Sequence, residues 1–287
     1  MKEITNNLVG IFKKYFSNTT DKIVNPVYTS NTGSRVPKGM MFVGCSFTHG
    51  YGLQYYHVYD NLNTPPTKYP LPPTPELPSS EASEKFRRFY RFANIVATDR
   101  NTWHITRQGV SGSDMDTLSF LDMSFGLKEK EWWLCEYNFE FNEISHVIIQ
   151  TSFPIRSVEL FEDEILELKL ESENDIIKFV VKKLTELYKE KVQFLTKQGI
   201  HVYFIHATNE YKELFSNDEY LNSRTILLKN NGIEYYSVND LMGMDNDATT
   251  IYDDTDFFGN DVVKDYHPSL ITHSIIADNI LSRINNE

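Results

Sequence analysis

Short apolar runs that alternate with amphipathic segments dominate the pattern of this chain. Each run is too short for a helix of its own and ends at a small or polar cluster, as a buried strand does. The runs lie at residues 40–43, 103–106, 144–150, 200–207 and 233–238. Because helical patterns separate them, the chain is expected to form an α/β fold with a central parallel sheet of about five strands.

Amphipathic helices are expected between and around these strands. Residues 4–16 and 84–99 place apolar side chains at helical spacing, and residues 157–198 carry two acidic to mixed-charge helical patterns that end at Gly199. Asp114 or Ser113 is expected to cap the helix that follows the second strand, and the last helix begins at Ser269 or Thr272. The first of these helices is expected either to pack on the body of the protein or to dock a protein partner.

The chain is predicted to be one domain, with an N-terminal extension before the first strand and a proline-rich insertion soon after it. Residues 1–37 read as an N-terminal helix and a lead-in loop, and residues 38–287 as the domain proper. The segment at about 55–83 holds most of the 11 prolines, so it is expected to lie on the surface as an extended loop. This loop either borders the substrate pocket or is a surface insertion without a role there.

Charge and cysteine content narrow the function classes. The chain has 28 Lys and Arg against 40 Asp and Glu, a formal net charge of -12, which disfavours nucleic acid and anionic membranes as partners. Neither a secretion signal nor a run of 18 apolar residues is found, so a soluble cytoplasmic protein is expected. Cys45 and Cys135 do not form a disulfide framework and are interpreted as buried thiols.

Candidate chemistry begins where the first strand ends. Ser46 follows that strand directly, and in open parallel sheets ligands bind beyond the carboxyl ends of the strands. A serine hydroxyl becomes a nucleophile only when a base removes its proton. Near the other end of the chain His267 is a candidate base, and Asp265 or Asp261 is a candidate to orient its imidazole.

Three blocks together resemble the SGNH (GDSL-type) hydrolases, from about Lys38 to the C-terminus. They are Gly44-x-Ser46-x-Thr48-x-Gly50, the isolated Gly109, and Asp265-x-His267-Pro268. The resemblance implies a three-layer α/β/α, flavodoxin-like fold, an ester-cleaving activity without a cofactor, and a Ser46, His267 and Asp265 triad. It also implies that the N–H groups of Ser46 and Gly109 form part of the oxyanion hole.

One departure from the family pattern concerns the oxyanion hole. Where the family has Gly-x-Asn-Asp after the third strand, this chain has no asparagine, and Ser152 or Thr151 is expected to donate instead. Asn209, after the fourth strand, and Arg156 are candidate substrate contacts. A surface salt bridge is the alternative role for Arg156.

A serine hydrolase that acts on an acyl or acetyl ester, carried by a small molecule or a glycan, is therefore the expected function. The alternative is a binding or structural protein that has kept the fold with weak or no catalysis. A metal-dependent hydrolase ranks below both, because His201 and His206 read as structural histidines and the acidic residues 242–263 as a solvated loop. No metal site is predicted.

Overall fold

The computed structural model describes residues 38–50, 91–106, 113–129, 138–244, 267–268 and 270–286. Several sequence predictions therefore lie outside the described residues, namely the helix at 4–16, the proline-rich segment at 55–83, Gly109, Asp265 and most of the acidic loop. The division of the chain at residue 37 stays a prediction.

Four parallel strands form the central sheet in the described part of the chain. They are β1 (Gly39–Val43), β2 (His104–Thr106), β3 (Ile144–Thr151) and β4 (His201–His206), in the spatial order β2-β1-β3-β4. The predicted α/β fold with a central parallel sheet is confirmed. Because the chain moves from β1 to one side and then crosses to β3 on the other, the carboxyl ends of β1 and β3 border a topological switch point.

Helices cover both faces of this sheet. In chain order they are α1 (Ser46–His49), α2 (Phe92–Asp99), α3 (Asp114–Ser124), α4 (Glu162–Glu167), α5 (Glu173–Lys197), α6 (Lys212–Asn217), α7 (Glu219–Asn222), α8 (Val238–Met244) and α9 (Leu270–Asn285). Two 3₁₀ helices, Phe141–Glu143 and Pro154–Phe161, precede and follow β3.

The side chains of β1 alternate between two cores, which makes the fold three-layered. Met41 and Val43 pack on the face covered by α3 and α5, whereas Met40 and Phe42 pack on the face covered by α2 and α9. Such alternation is the period-2 geometry of a strand that is buried on both faces. In the described part of the chain both faces of the sheet are thus covered.

Residues that signal the start or the end of a helix in the sequence have that role in the structure. Ser113 caps α3 by accepting a hydrogen bond from the N–H of Asp116, and Gly199 ends α5 with a φ of 81°. The apolar stripe of α9 is buried as predicted; it comprises Ile276, Ala277, Ile280, Leu281 and Ile284. No helix in the described ranges combines the length and the apolarity needed to cross a bilayer.

The prediction for residues 233–238 needs a correction, because this run is not a fifth strand of the central sheet. It forms β6 (Ile233–Tyr235), which pairs antiparallel with β5 (Leu228–Asn230). Asn231 and Gly232 have φ values of 50° and 82°, the two left-handed positions of a tight hairpin turn. Beside β4, two isolated parallel bridges occupy the place where the fifth strand was expected; they are Phe204↔Thr225 and His206↔Ser237.

Candidate active site

The candidate nucleophile lies at the switch point of the sheet. Ser46 is the first residue of α1, three residues after the last residue of β1, and the flanking Cys45 and Phe47 are both buried. The turn therefore holds the backbone of Ser46 at the carboxyl edge of the sheet, with its neighbours anchored in the core. This is the edge at which open α/β sheets bind their ligands.

Gly44 allows this turn to approach β3 closely. A Cβ atom at this position would lie 2.4 Å from Thr48 Oγ1 and 2.7 Å from the Cβ of Gln150, well inside van der Waals contact. Any side chain here would push the turn away from β3. The glycine of the first motif thus has a packing reason that is independent of any resemblance.

A side chain of β3 holds the turn on both sides of Ser46. Gln150 is 1% exposed, and its Oε1 accepts a hydrogen bond from Thr48 Oγ1 at 2.5 Å and a longer one from Cys45 Sγ at 3.7 Å. Sequence reasoning treated Gln150 only as the end of a strand and missed this role. The one available signal was a polar residue that closes an otherwise apolar run.

The candidate base lies beside the same turn. The half-buried ring of His267 packs edge-on against Phe47, with 5.7 Å between the ring centroids and 79° between the planes. Phe47 also contacts Phe153, which follows β3, at 5.9 Å. The structure thus brings His267 to the residue that follows Ser46. Asp265 and Gly109 lie beyond the described ranges, and their predicted roles stay predictions.

A second histidine fixes the start of α9, just after His267. The backbone N–H of Phe92 donates to Nδ1 of His273 at 3.2 Å, and the two rings stack with 5.6 Å between centroids. Burial, together with the positive charge of Arg91, lowers the pKa of His273 to about 3, so the ring is neutral. This contact ties the segment that carries His267 to α2.

The predicted substitutes for the missing asparagine are both fully buried; Thr151 is the last residue of β3 and Ser152 follows it. The hydroxyl of Thr151 forms a hydrogen bond with Nδ1 of His206 at 3.1 Å, and the backbone N–H of Ser152 donates to Asp114 Oδ1 at 2.7 Å. Both residues are therefore held in place by the core. Their donation to an oxyanion stays a prediction.

Asp114 is the centre of a buried polar network that includes the backbone of Ser152. Besides Ser152, its carboxylate accepts hydrogen bonds from the hydroxyls of Tyr188 at 2.6 Å and Tyr211 at 2.8 Å. Burial raises the pKa of Asp114 above its usual 3.8, and the three hydrogen bonds oppose that shift. Sequence reasoning considered Asp114 only as a helix cap and missed the network, because its donors come from distant elements.

His201 and His206 lie at opposite ends of β4. His206 is completely buried, stacks on Tyr236 at 4.6 Å between ring centroids, and has a pKa lowered to about 3 by burial. His201 lies exposed at the other end of β4 and stacks on His146 at 5.1 Å. Within the ranges that the structure describes, no cluster of three or more metal-ligating side chains is found.

The two candidate substrate contacts have different surroundings. Asn209 is exposed after β4 and donates to Asp240 Oδ1 at 2.5 Å. The guanidinium of Arg156 lies 4.8 Å from the ring centroid of Phe153, and it forms no ion pair with a described carboxylate. Arg156 is therefore connected to the candidate site through Phe153, which packs on Phe47.

Comparison with known proteins adds little to this picture. No protein-family model and no curated protein matches the chain. A solved structure with some likeness is described as a carbohydrate esterase whose active site displays divergent catalytic and non-catalytic binding functions. It is 10% identical, with a TM-score of 0.46 over 88% of this chain and 70% of that one. The function must therefore be argued from the residues of this chain.

Proposed function

We propose that this protein is a serine esterase of the SGNH type, with Ser46 as nucleophile and His267 as general base. The observation that carries the proposal is the contact between the rings of His267 and Phe47, 5.7 Å apart, at the switch point where Ser46 begins α1. His267, near the other end of the sequence, thus lies against the residue that follows Ser46, at the edge where open parallel sheets bind their ligands.

The proposed reaction has two steps. His267 removes the proton of Ser46 Oγ as the oxygen attacks the ester carbonyl, and then returns that proton to the departing alkoxide, which leaves an acyl-enzyme. Water attacks the acyl-enzyme with His267 again as base, which releases the acid and regenerates Ser46. Asp265 is assigned the role of orienting the imidazole, and Asp261 is the substitute.

Stabilisation of the oxyanion is assigned to backbone and side-chain donors. The N–H groups of Ser46 and Gly109 are the proposed principal donors, with the hydroxyl of Ser152 or Thr151 in place of the missing asparagine. A single lost donor costs about 3 kcal/mol of barrier stabilisation. Because Gln150 holds the turn on both sides of Ser46, the backbone donor at Ser46 is preorganised.

The proposed substrate is an acyl or acetyl ester of a small molecule or a glycan. Phe47 and Phe153 form an apolar wall beside the site. Arg156, whose guanidinium lies over Phe153, is assigned the role of binding an anionic part of the substrate. Asn209 is a further proposed contact, which would have to exchange its hydrogen bond with Asp240.

A second candidate is a binding protein on the same fold with little or no catalysis. It is favoured by one observation: the hydroxyl of Thr151, one of the two proposed substitutes for the asparagine, is already engaged with His206. A partner of such a protein would dock through residues 4–16.

Ester hydrolysis by matched variants tests the proposal. The purified chain is expected to hydrolyse p-nitrophenyl acetate and to release acetate from an acetylated oligosaccharide. Ser46→Ala and His267→Ala should each lower kcat by about 1,000-fold or more, because they remove nucleophile and base. Ser282→Ala, an exposed serine on α9, is the matched control and should retain the activity. Wild-type activity in Ser46→Ala would overturn the proposal.

A further inference from the structure

A second concave site lies at the opposite end of the central sheet from Ser46. A cavity of about 350 Å³ opens where α5 ends and β4 begins, and the connection after α7 and the last turn of α9 complete its wall. Because β4 runs parallel to β1, its first residues lie at the amino edge of the sheet. The cavity is thus separate from the candidate active site.

Two arginines face this cavity without a carboxylate between them. Arg224 and Arg283 both line it, and its other lining residues include His201 and Ser223 but no Asp or Glu. Neither arginine forms an ion pair with any residue that the structure describes. In a chain with 40 acidic and 28 basic residues, two guanidinium groups in a cavity that no described carboxylate lines form a local positive field.

Both guanidinium groups are held in place by the protein. The Cζ of Arg224 lies 3.7 Å from the ring centroid of Tyr220, and its Nη1 donates to the carbonyl of Tyr220 and to Ser223 Oγ. Arg283 donates from Nη2 to the carbonyl of Ser223 at 2.5 Å and lies 5.3 Å from the ring of Tyr203. These contacts order the side chains before any ligand arrives, which lowers the entropic cost of binding.

Donors remain on both arginines after these contacts. Nε and Nη2 of Arg224, and Nε and Nη1 of Arg283, have no hydrogen-bond partner among the described residues. A guanidinium presents its N–H groups as a planar fork that matches two oxygens of a phosphate or a carboxylate. Arg224 keeps such a fork in Nε and Nη2, whereas Nε and Nη1 of Arg283 point in different directions and act as separate donors. A fork and a further donor in one cavity can bind more than the two oxygens that a carboxylate offers, and a phosphate monoester has three.

We propose that this cavity binds the phosphate group of a small phosphorylated molecule. The two guanidinium groups supply the charge and the donors, and about 350 Å³ leaves room beside the phosphate for an organic part, since small-molecule sites start at roughly 300 Å³. The site holds no group of the proposed triad, so binding here does not depend on hydrolysis.

Calorimetric titration of the full chain tests the proposal. The probes are inorganic phosphate, glycerol 3-phosphate and acetate, each at constant ionic strength. Arg224→Gln and Arg283→Gln should each weaken phosphate binding by about 10-fold or more, the effect of losing a charge-assisted hydrogen bond. Lys212→Gln removes the same charge from an exposed position on α6 and should change the affinity less than 2-fold.

Two further variants separate the effect of hydrogen-bond geometry from that of charge, and the cavity from the candidate active site. Arg224→Lys keeps the charge but loses the fork, and it should still weaken phosphate binding, whereas Ser46→Ala should leave it unchanged. Because Arg224→Lys keeps the positive charge, it also tests the fork if the neutral Arg224→Gln variant does not fold. No detectable binding of inorganic phosphate at a concentration on the order of 10 mM, which would put Kd above the millimolar range, would overturn the proposal. So would equal binding by the arginine variants and the wild type, or tighter binding of acetate than of phosphate.

Discussion

Gln150 shows how a single polar side chain can define a catalytic turn. It is the next-to-last residue of β3, and its side-chain oxygen Oε1 accepts hydrogen bonds from Thr48 and Cys45, the residues that flank Ser46 and Phe47. The hydroxyl of Thr48 is itself buried, so the hydrogen bond between them is protected from competing water. The turn that carries the proposed nucleophile is therefore fixed to β3 by side chains and not only by its backbone.

Removal of this hydrogen bond should reduce catalysis more than substrate binding. Thr48→Val keeps the shape of the side chain but loses the donor to Gln150, and we expect kcat for p-nitrophenyl acetate to fall about 10-fold with little change in KM. Thr48→Ser retains the hydroxyl and should restore most of the rate. Equal kcat values for Thr48→Val and the wild type would show that the hydrogen bond does not position Ser46.

Sequence reasoning at the residue scale succeeds where a role depends on near neighbours. Burial of Cys45 and the cap at Ser113 follow from the adjacent residues, and both are confirmed. The roles of Gln150 and Asp114 depend on partners that tertiary packing brings together, and no local pattern encodes those contacts. The same limit leaves Asp265 and Gly109 as predictions.

At the scale of elements, the periodic signals determined most of the architecture. Apolar runs between amphipathic helices predict a parallel sheet because crossover helices must cover both of its faces. The exception is the run at 233–238, where Asn231-Gly232 favours a hairpin with a three-residue partner that is too short to be recognised as a strand. A strong turn signal here outweighed the alternation that predicted a fifth parallel strand.

Two glycines allow a controlled test of that turn. A Cβ would meet nothing within 4 Å at either Gly232 or Gly243, but Gly232 has a φ of 82° whereas Gly243 lies within the helix α8. Gly232→Ala should therefore lower the free energy of unfolding by about 1 kcal/mol through backbone strain alone. Gly243→Ala should raise it by up to about 1 kcal/mol.

Urea unfolding of the two variants beside the wild type measures both effects. Because neither substitution creates a clash, the difference between them reports the backbone conformation of the hairpin turn. If both alanines stabilise the protein, Gly232 does not have the left-handed conformation and the antiparallel pairing of β5 with β6 is wrong.

The whole molecule contains several histidines that burial keeps neutral. The pKa of His104, His206 and His273 is lowered in each case to about 3, mainly by burial, and for His104 and His273 also by the charge of Arg91. An unfolded chain binds protons at these residues near pH 6.5, whereas the folded chain does not. Their stabilising contribution is therefore complete above pH 6.5 and is lost as the pH falls from 6.5 towards 3.

Acidification should reveal this linkage in the free energy of unfolding. Each such histidine contributes a slope of up to about 1.4 kcal/mol per pH unit below 6.5. His206→Phe removes one of them, so this variant, although less stable at neutral pH without its hydrogen bond to Thr151, should lose stability more slowly on acidification. Urea unfolding between pH 7.5 and pH 5 measures both slopes, and parallel curves would contradict the assignment of His206 as a buried neutral ring.

The molecule as a whole has two distinct ends. At the carboxyl edge of its sheet His267 packs against Phe47, the residue that follows Ser46, and at the amino edge Arg224 and Arg283 line a cavity. The sequence indicated the first end because its residues stand in recognisable motifs. It gave no sign of the second, because the two arginines are separated along the chain and come together only when α9 packs beside the connection after α7.

Covalent labelling with a reactive alkyl fluorophosphonate tests the central claim most directly, with the modified residue located by mass spectrometry. The reagent forms a bond only with an activated serine, so its reaction reports a nucleophile and base that are assembled in the folded protein. Our account predicts that Ser46 is labelled in the wild type and that labelling is lost in His267→Ala. A folded wild type without label at Ser46, or labelling that continues at the same rate without His267, would contradict it.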